Sequence, residues 1–291
     1  MKLYDQHLHS RHSFDSTADP AANVEAACAR GLSGLTFTEH FDLHPSDWKT
    51  CVYDHDDYTR TIQSLREQFG SRVFIGQGIE VCFQPDRMNV ILDFLSRHEF
   101  DLVILSVHYF GTRALHRREH WRGIDATTGT KRYLETVLEA AQLCKKRHAD
   151  GTRVFDVLGH LDLVKRYTQR FHKANEVGHY QGLIDRILTA CLDADLIPEV
   201  NTSTLRQGLH EPMPSMDTLA SYHRLGGKGV TLGSDAHTSA DIGAGFDTAQ
   251  TLLHEAGITH TAVHRGRKRE WIPLPPDCHR AEPPDTTNAA T

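Results

Sequence analysis

Seven short apolar runs, each followed by a stretch of helical periodicity, recur from the first residues of this chain to about residue 260. Strand-length runs that alternate with helix-length patterns are the signature of repeated βα units, whose strands pair in parallel because each helix carries the chain back across the sheet. Strands are expected at 3–9, 34–38, 73–81, 102–108, 154–160, 197–201 and 230–234. Helices are expected at 20–30, 57–69, 87–97, 131–147, 176–193, 215–225 and 246–255. The first helix has full punctuation, with Asp19 as N-cap, Pro20 at the first helical position and Gly31 after the last turn. No shift in composition divides the 291 residues, so the expected organisation is one domain over 1–272 and a Pro-rich tail over 273–291. The fold class is therefore α/β, and a single barrel would accommodate the whole chain.

Composition removes several classes of function. Hydrophobic residues make up 39% of the chain, enough for a substantial core. No window approaches 18 consecutive apolar residues, and the start MKLYDQHLHS has neither the basic nor the apolar region of a signal peptide. A cytoplasmic protein with no membrane partner is expected. Lys and Arg number 32 against 38 Asp and Glu, a formal charge of −6 that would repel a phosphate backbone, so extended nucleic acid is not an expected partner. The six cysteines, at 28, 51, 82, 144, 191 and 278, form no CxxC pair and read as reduced thiols. Histidine is the outlier: 21 residues spread from His7 to His279, which is neither a tag nor the short tract of a metal buffer.

Where the polar residues fall is more informative than their number. Each apolar run ends in a metal-competent or polar cluster: HLHS, TEH, GIE, SVH, GHLD, EVN and GSDAH. In a parallel barrel these ends share one face, where the functional residues of such folds collect. His7 and His9 lie two apart on a strand, so both imidazoles point the same way, and Asp235 and His237 repeat that spacing. Glu80, His40, His108 and His160 follow other apolar runs, and Asp15 lies a short turn beyond the HLH pair. Singly, each reads as a satisfied polar residue; six histidines and two acids at matched strand ends point instead to one pocket. His12, His44, His116, His120, His172 and His179 read as loop or surface residues. Arg206 and the pair Lys165 and Arg166 also follow strand ends, where a guanidinium beside cations would hold an anion.

These pieces resemble the polymerase and histidinol phosphatase (PHP) superfamily, most closely its histidinol-phosphatase branch. The matching segments are DQHLHS with the downstream Asp15, FTEH, GIE, SVHY, GHLDLVKR, EVNTS followed by LR, and GSDAH, in order over residues 5–237. The resemblance implies a distorted, TIM-like (β/α)7 barrel and a site of three divalent ions. One ion would be held by His7, His9, Glu80 and Asp235, a second by Glu80, His108 and His160, and a third by Asp15, His40 and His237. Position 15 is histidine in some relatives, and His12 stands nearby as the alternative ligand. Mixed imidazole and carboxylate ligation suits zinc, manganese or iron rather than calcium or magnesium.

The implied reaction is hydrolysis of a small phosphomonoester, L-histidinol phosphate to L-histidinol and phosphate in histidine biosynthesis, by a hydroxide shared between ions roughly 3.5–4 Å apart. The implied catalytic residues are Glu80, Asp235 and His237, with Asp235 or a metal-bound water supplying the leaving-group proton. Arg206 and Arg166 would hold the phosphate, flanked by Lys165 and Asn201. Asp42, Trp48 and Tyr109 in the long loops are candidates for the rest of the substrate. A phosphoesterase acting on nucleotides or nucleic-acid ends is the alternative, against which the negative charge weighs.

Overall fold

The computed structural model describes residues 2–44 and 53–274. β1 (Tyr4–Leu8), α1 (Pro20–Ala29), β2 (Gly34–Phe41), α2 (His55–Phe69), β3 (Phe74–Cys82), α3 (Met88–Arg97) and β4 (Leu102–Ser106) alternate strictly. A small hairpin, β5 (Tyr109–Phe110) with β6 (Arg113–Ala114), leads into the long α4 (Ala126–Ala149). Then come β7 (Val157–Leu158), α5 (Val164–His172), α6 (Gln181–Asp193), β8 (Ile197–Asn201) and the short α7 (Ser203–Arg206). The chain continues through α8 (Met216–Arg224), β9 (Gly229–Gly233) and α9 (Phe246–Glu255) to a second hairpin, β10 (His260–Arg265) and β11 (Lys268–Pro273).

The main sheet runs β1-β2-β3-β4-β7-β8-β9-β10-β11. Every neighbouring pair in it is parallel except β10 with β11. β1 and the end of β9 are also tied together. His9 N–H donates to the Ala236 carbonyl and Asp235 N–H to the His7 carbonyl, both at 2.8 Å, and Leu8 bridges Ala236 in parallel.

Alternation along the strands sorts side chains onto two faces. Val103 and Leu105 of β4 join the large core, which also takes Val24, Ala27, Ile62 and Ile91 from the helices. Leu102 and Ile104 belong to a separate cluster with Val157, Ile197 and Ala262. The face of Leu102 and Ile104 continues through Ser106 to His108, so the period of two that fills the core also delivers a histidine at the strand end. Truncating a fully buried core leucine such as Leu105 to alanine would cost about 2–5 kcal/mol.

Helix starts follow the expected chemistry. Asp19 accepts from Ala21 N–H at 2.7 Å ahead of Pro20, and Asp54 and Asp125 cap α2 and α4 in the same way. Three departures stand out. β7 is confined to Val157–Leu158 rather than 154–160, because His160 has a φ of 21° that turns the chain out of the strand. α5 occupies residues expected to be loop. The β10–β11 hairpin extends the sheet beyond the last expected unit, turning through Gly266 and Arg267, both at positive φ as a tight hairpin requires. Its turn is Gly-Arg rather than the usual Asn-Gly, a weak signal in sequence. β11 ends at Pro273, one residue past the expected domain boundary, and the tail from 275 lies outside the described residues. Among the described residues no helix is long and apolar enough to cross a membrane.

Candidate metal centre

Nine side chains from six strand ends converge on one point, with Glu80, 1% exposed, at its centre. Glu80 Oε2 lies 3.3 Å from His7 Nε2, 3.5 Å from His9 Nε2 and 3.0 Å from His40 Nδ1. Its other oxygen, Oε1, lies 2.8 Å from His160 Nε2 and 3.2 Å from His108 Nε2. Asp235 Oδ1 is 3.4 Å from His9 Nε2, 3.6 Å from His237 Nδ1 and 3.8 Å from His7 Nε2. Asp15 Oδ2 sits between His237 Nε2 at 3.1 Å and His40 Nε2 at 3.4 Å. His12 is turned away, with Nε2 on Thr61 Oγ1 at 3.1 Å and Nδ1 3.6 Å from Asp57, so Asp15 takes the position the sequence left open between the two.

Most of these imidazoles are oriented from behind. His7 Nδ1 meets Glu199 Oε1 at 2.7 Å, His9 Nδ1 meets Ser13 Oγ at 3.0 Å, His108 Nδ1 meets Asp42 Oδ2 at 2.8 Å and His237 Nδ1 meets the Asp235 carbonyl at 3.0 Å. A ring that donates Nδ1–H to an acceptor presents the Nε2 lone pair forward, the tautomer a metal requires. Ser13 in turn donates to Glu39 Oε2 and accepts from His40 N–H at 3.1 Å. His160 and Asp235 both hold positive φ, at 21° and 52°, conformations that non-glycine residues adopt mainly where surrounding structure enforces them.

The electrostatics call for cations. Burial by itself would push the Glu80 carboxyl up, but His7, His40 and His108 more than offset this and hold it well below the usual range. Asp235 behaves alike: burial by itself would push it up, and His9, His7, His237 and Arg166 around it more than offset this. Burial disfavours charge on His7 and His40, yet facing carboxylates raise both well above the ordinary value. His9 goes the other way, to about 3, because it is buried and flanked by His40 and His237.

The donor set fits metal ions. A tetrahedral ion with bonds of about 2.0–2.2 Å sets its ligand atoms about 3.3–3.6 Å apart, and most of the separations above lie near that value. Glu80 Oε2 is buried with no hydrogen-bond partner although three imidazole nitrogens face it. Ligand atoms of His7, His9 and Asp235 lie within 4.8 Å of one another, as do those of His7, Glu80 and His160, of His40, Glu80 and His108, and of His9, His40 and His237.

A cavity of about 310 Å³ opens over this cluster, lined by Asp15, His40, His108, His160, Asp235 and His237 and walled by Phe14, Asp42, Tyr109, Leu115, His116, Leu163, Arg166 and Tyr167. Arg166 reaches Asp235 Oδ2 at 3.4 Å and donates to Ser203 Oγ, while its buried Nε has no partner. Three expected substrate contacts are placed otherwise. Lys165 is fully buried, held by Asp162 at 2.9 Å, Glu211 at 3.1 Å and the Pro212 carbonyl at 2.6 Å. Neighbours on a helix point about 100° apart, so only Arg166 of the pair faces the cavity. Asn201 is also fully buried, accepting from Ser203 N–H and Oγ–H and donating to Glu199. Arg206 is not on the cavity wall: it donates to the Ser234 carbonyl at 2.9 Å and the Asp235 carbonyl at 3.3 Å, with Nε 3.3 Å from Asp241. Trp48 lies outside the described residues.

The sequence reading assigned no role to Asp5, Ser13, Glu39 or Glu199, the buried groups behind the ligands. The available signal was position: Glu39 and Glu199 sit within the strand-end clusters TEH and EVN.

The PHP domain family matches residues 5–203. A histidinol-phosphatase of Lactococcus lactis subsp. lactis (strain IL1403) is 30% identical over 272 residues, 92% of this chain and 96% of that protein. A histidinol-phosphatase of Bacillus subtilis (strain 168) is 26% identical over 269 residues, 85% and 98% of the two chains. Among solved structures, a histidinol phosphate phosphatase from the same Lactococcus, complexed with zinc, L-histidinol and phosphate, superposes with a TM-score of 0.80 at 28% identity, covering 92% of this chain and 99% of that one.

Proposed function

This chain belongs to the PHP domain family, and from that premise we propose that it is a metal-dependent phosphomonoesterase that hydrolyses L-histidinol phosphate to L-histidinol and phosphate. The observation that carries the reading is the convergence of six histidines and three carboxylates on the floor of a cavity bordered by Arg166. The sheet is read as a distorted (β/α)7 barrel over 1–272, a reading supported by the hydrogen bonds from β1 to the end of β9.

Zinc, bound in the related Lactococcus structure, is the first candidate metal, with manganese and iron allowed by the same donors. Three ions are proposed, divided as His7, His9, Glu80 and Asp235; Glu80, His108 and His160; and Asp15, His40 and His237. Bound there, they would lower the pKa of a water toward neutrality and neutralise charge on the phosphoryl group. Glu80 would span two of the sites, its two oxygens already facing different histidines. Arg166, on the cavity wall, would grip a phosphate oxygen with its guanidinium and orient the ester over the cluster. Arg206 would act one layer back, holding the carbonyls on either side of the Asp235 nitrogen and carbon. Asp42 and Tyr109 stand on the cavity wall where the amino alcohol and imidazole would lie. The described cysteines, Cys28, Cys82, Cys144 and Cys191, are free, as suits a cytoplasmic reaction.

The test is phosphate release from L-histidinol phosphate and from an aryl phosphate, with metal content measured on the same sample. No release from a metal-loaded protein sinks the reading, and a strong preference for nucleotides replaces the substrate. Arg206→Ala should lower both metal retention and kcat, because the Asp235 backbone loses its clamp; a rise in KM alone, with all metal retained, would return Arg206 to direct phosphate binding.

A further inference from the structure

Asp5, Glu39 and Glu199 are buried carboxylates used by neither the proposed chemistry nor any arginine or lysine among the described residues, and of these Glu199 meets the side chain of a proposed ligand. Glu199, on β8, is 1% exposed. Oε1 accepts from His7 Nδ1–H at 2.7 Å. Oε2 accepts from the backbone N–H of His160 at 2.8 Å and from Asn201 Nδ2 at 3.3 Å. His7 and His160 come from different strands and turn their Nε2 atoms to different oxygens of Glu80, Oε2 at 3.3 Å and Oε1 at 2.8 Å. Glu80 and Glu199 thus stand on opposite sides of the same two residues. The N–H that Glu199 holds belongs to a histidine at φ 21°, which the local chain does not favour.

The space for this carboxylate is made by Gly233. A Cβ at that position would lie 2.1 Å from Glu199 Oε1 and 2.5 Å from His7 Cβ. Gly233 is not among the positive-φ glycines, so backbone conformation does not call for glycine there. Close approach does.

We propose that Glu199, which would touch no ion, is a positioning residue that aims His7 and His160 together at the metal centre, and that Gly233 is glycine because its missing side chain seats that carboxylate. The inference rests on the metal-dependent reading above. Its logic is hydrogen-bond polarity. All three partners of Glu199, His7 Nδ1, His160 N and Asn201 Nδ2, are N–H donors, and a glutamine of the same size offers one acceptor and one donor, so at least one contact becomes donor against donor.

The experiment measures zinc affinity of the full-length protein by chelator competition, with zinc per chain counted on the same samples. Wild type, Glu199→Gln, Gly233→Ala and the double variant are compared. Both single variants should bind zinc tenfold to a hundredfold more weakly, the usual effect of removing a ligand's supporting partner. The double variant should lose little beyond the worse single one, because both changes act through the same contact. In zinc-loaded wild type, ¹⁵N NMR should show the proton of His7 on Nδ1, and Glu199→Gln should weaken or shift that signal. If Gly233→Ala does not fold, Glu199→Gln with the NMR signature decides the matter alone. Wild type that binds zinc while Glu199→Gln binds it equally tightly, with His7 unchanged, overturns this inference and leaves the metal reading standing. Wild type that takes up no zinc, manganese or iron overturns the metal reading itself.

Discussion

The two ends of the parallel sheet use the same residue types, acids and histidines, to opposite effect. At the C-terminal ends Glu80, Asp235 and Asp15 face imidazoles, and among the described residues the one arginine paired with any of these three acids is Arg166, with Asp235. At the N-terminal ends the buried Asp156 faces Arg267 at 2.5 Å and Arg153 at 3.3 Å. Asp195 faces Arg153 at 3.0 Å and Arg269 at 2.7 Å, and Arg267 and Arg269 belong to the β10–β11 hairpin. Histidine shows the contrast as well. His264 is fully buried with neither ring nitrogen partnered, and burial together with Arg269, Arg153 and Arg267 depresses it to about 3, so it stays neutral. His7, His40 and His108 are equally enclosed but are raised by the carboxylates around them. Arginine is always charged, so the lower end is complete with its own residues and works as a staple. Imidazole carries charge only while a partner holds its proton, and that proton can give way to a metal ion at the same nitrogen, so divalent ions would take over the charge balance of the upper end.

The comparison can be broken at several points. The largest effect should come from Glu80→Ala, which removes the carboxylate shared by two ligand sets: two ions and the activity should go together, with a rate loss of at least about a thousandfold. Metal analysis and phosphate release on one sample check it, and a variant that keeps its metal would show that Glu80 is not the bridge. Asp156→Asn at the other end should instead cost about 3 kcal/mol of stability with zinc content unchanged, since breaking a buried pair strands a charge while the partly exposed arginines recover some solvation. Denaturant titration measures it, and metal loss in that variant would mean that the two ends are coupled.

The smallest effect concerns pH. His264 has a folded pKa depressed below its unfolded value, so the unfolded chain binds the proton more readily between pH 6.5 and about 3. Its stabilising contribution is complete above pH 6.5 and is lost as the pH falls. His264→Leu in metal-free protein should therefore lose less stability than wild type between pH 7 and pH 5, by about 2 kcal/mol. Equal acid sensitivity of the two chains would show that His264 is not held neutral.

Much of the upper end was legible because strand alternation and parallel order are both written in the sequence. Residues two apart share a face, and strand ends in parallel units share an edge, so His7 with His9 and Asp235 with His237 could be paired on paper. Lys165 and Asn201 escaped this logic, since a residue just past a strand is aimed by local turns: α5 swings Lys165 into a buried pair with Asp162, and Ser203 draws Asn201 aside. The choice of Asp15 over His12 depended on where α2 packs, because Thr61 and Asp57 hold His12 away from the cluster. The lower end was not legible at all. Its hairpin follows the last regular unit, and its acids Asp156 and Asp195 lie 111 and 74 residues from the hairpin arginines that meet them.

By itself, then, the sequence determined the repeating α/β units, the strand ends at which chemistry collects and the identities of the nine converging side chains, because periodicity states which way a residue points relative to its own backbone. Only the tertiary structure decided which charge meets which. Glu199 lies behind His7 across 192 residues, and Arg267 closes on Asp156 across 111. Electrostatic and hydrogen-bond partners are set by distances of a few ångströms in space, which spacing along the chain does not encode.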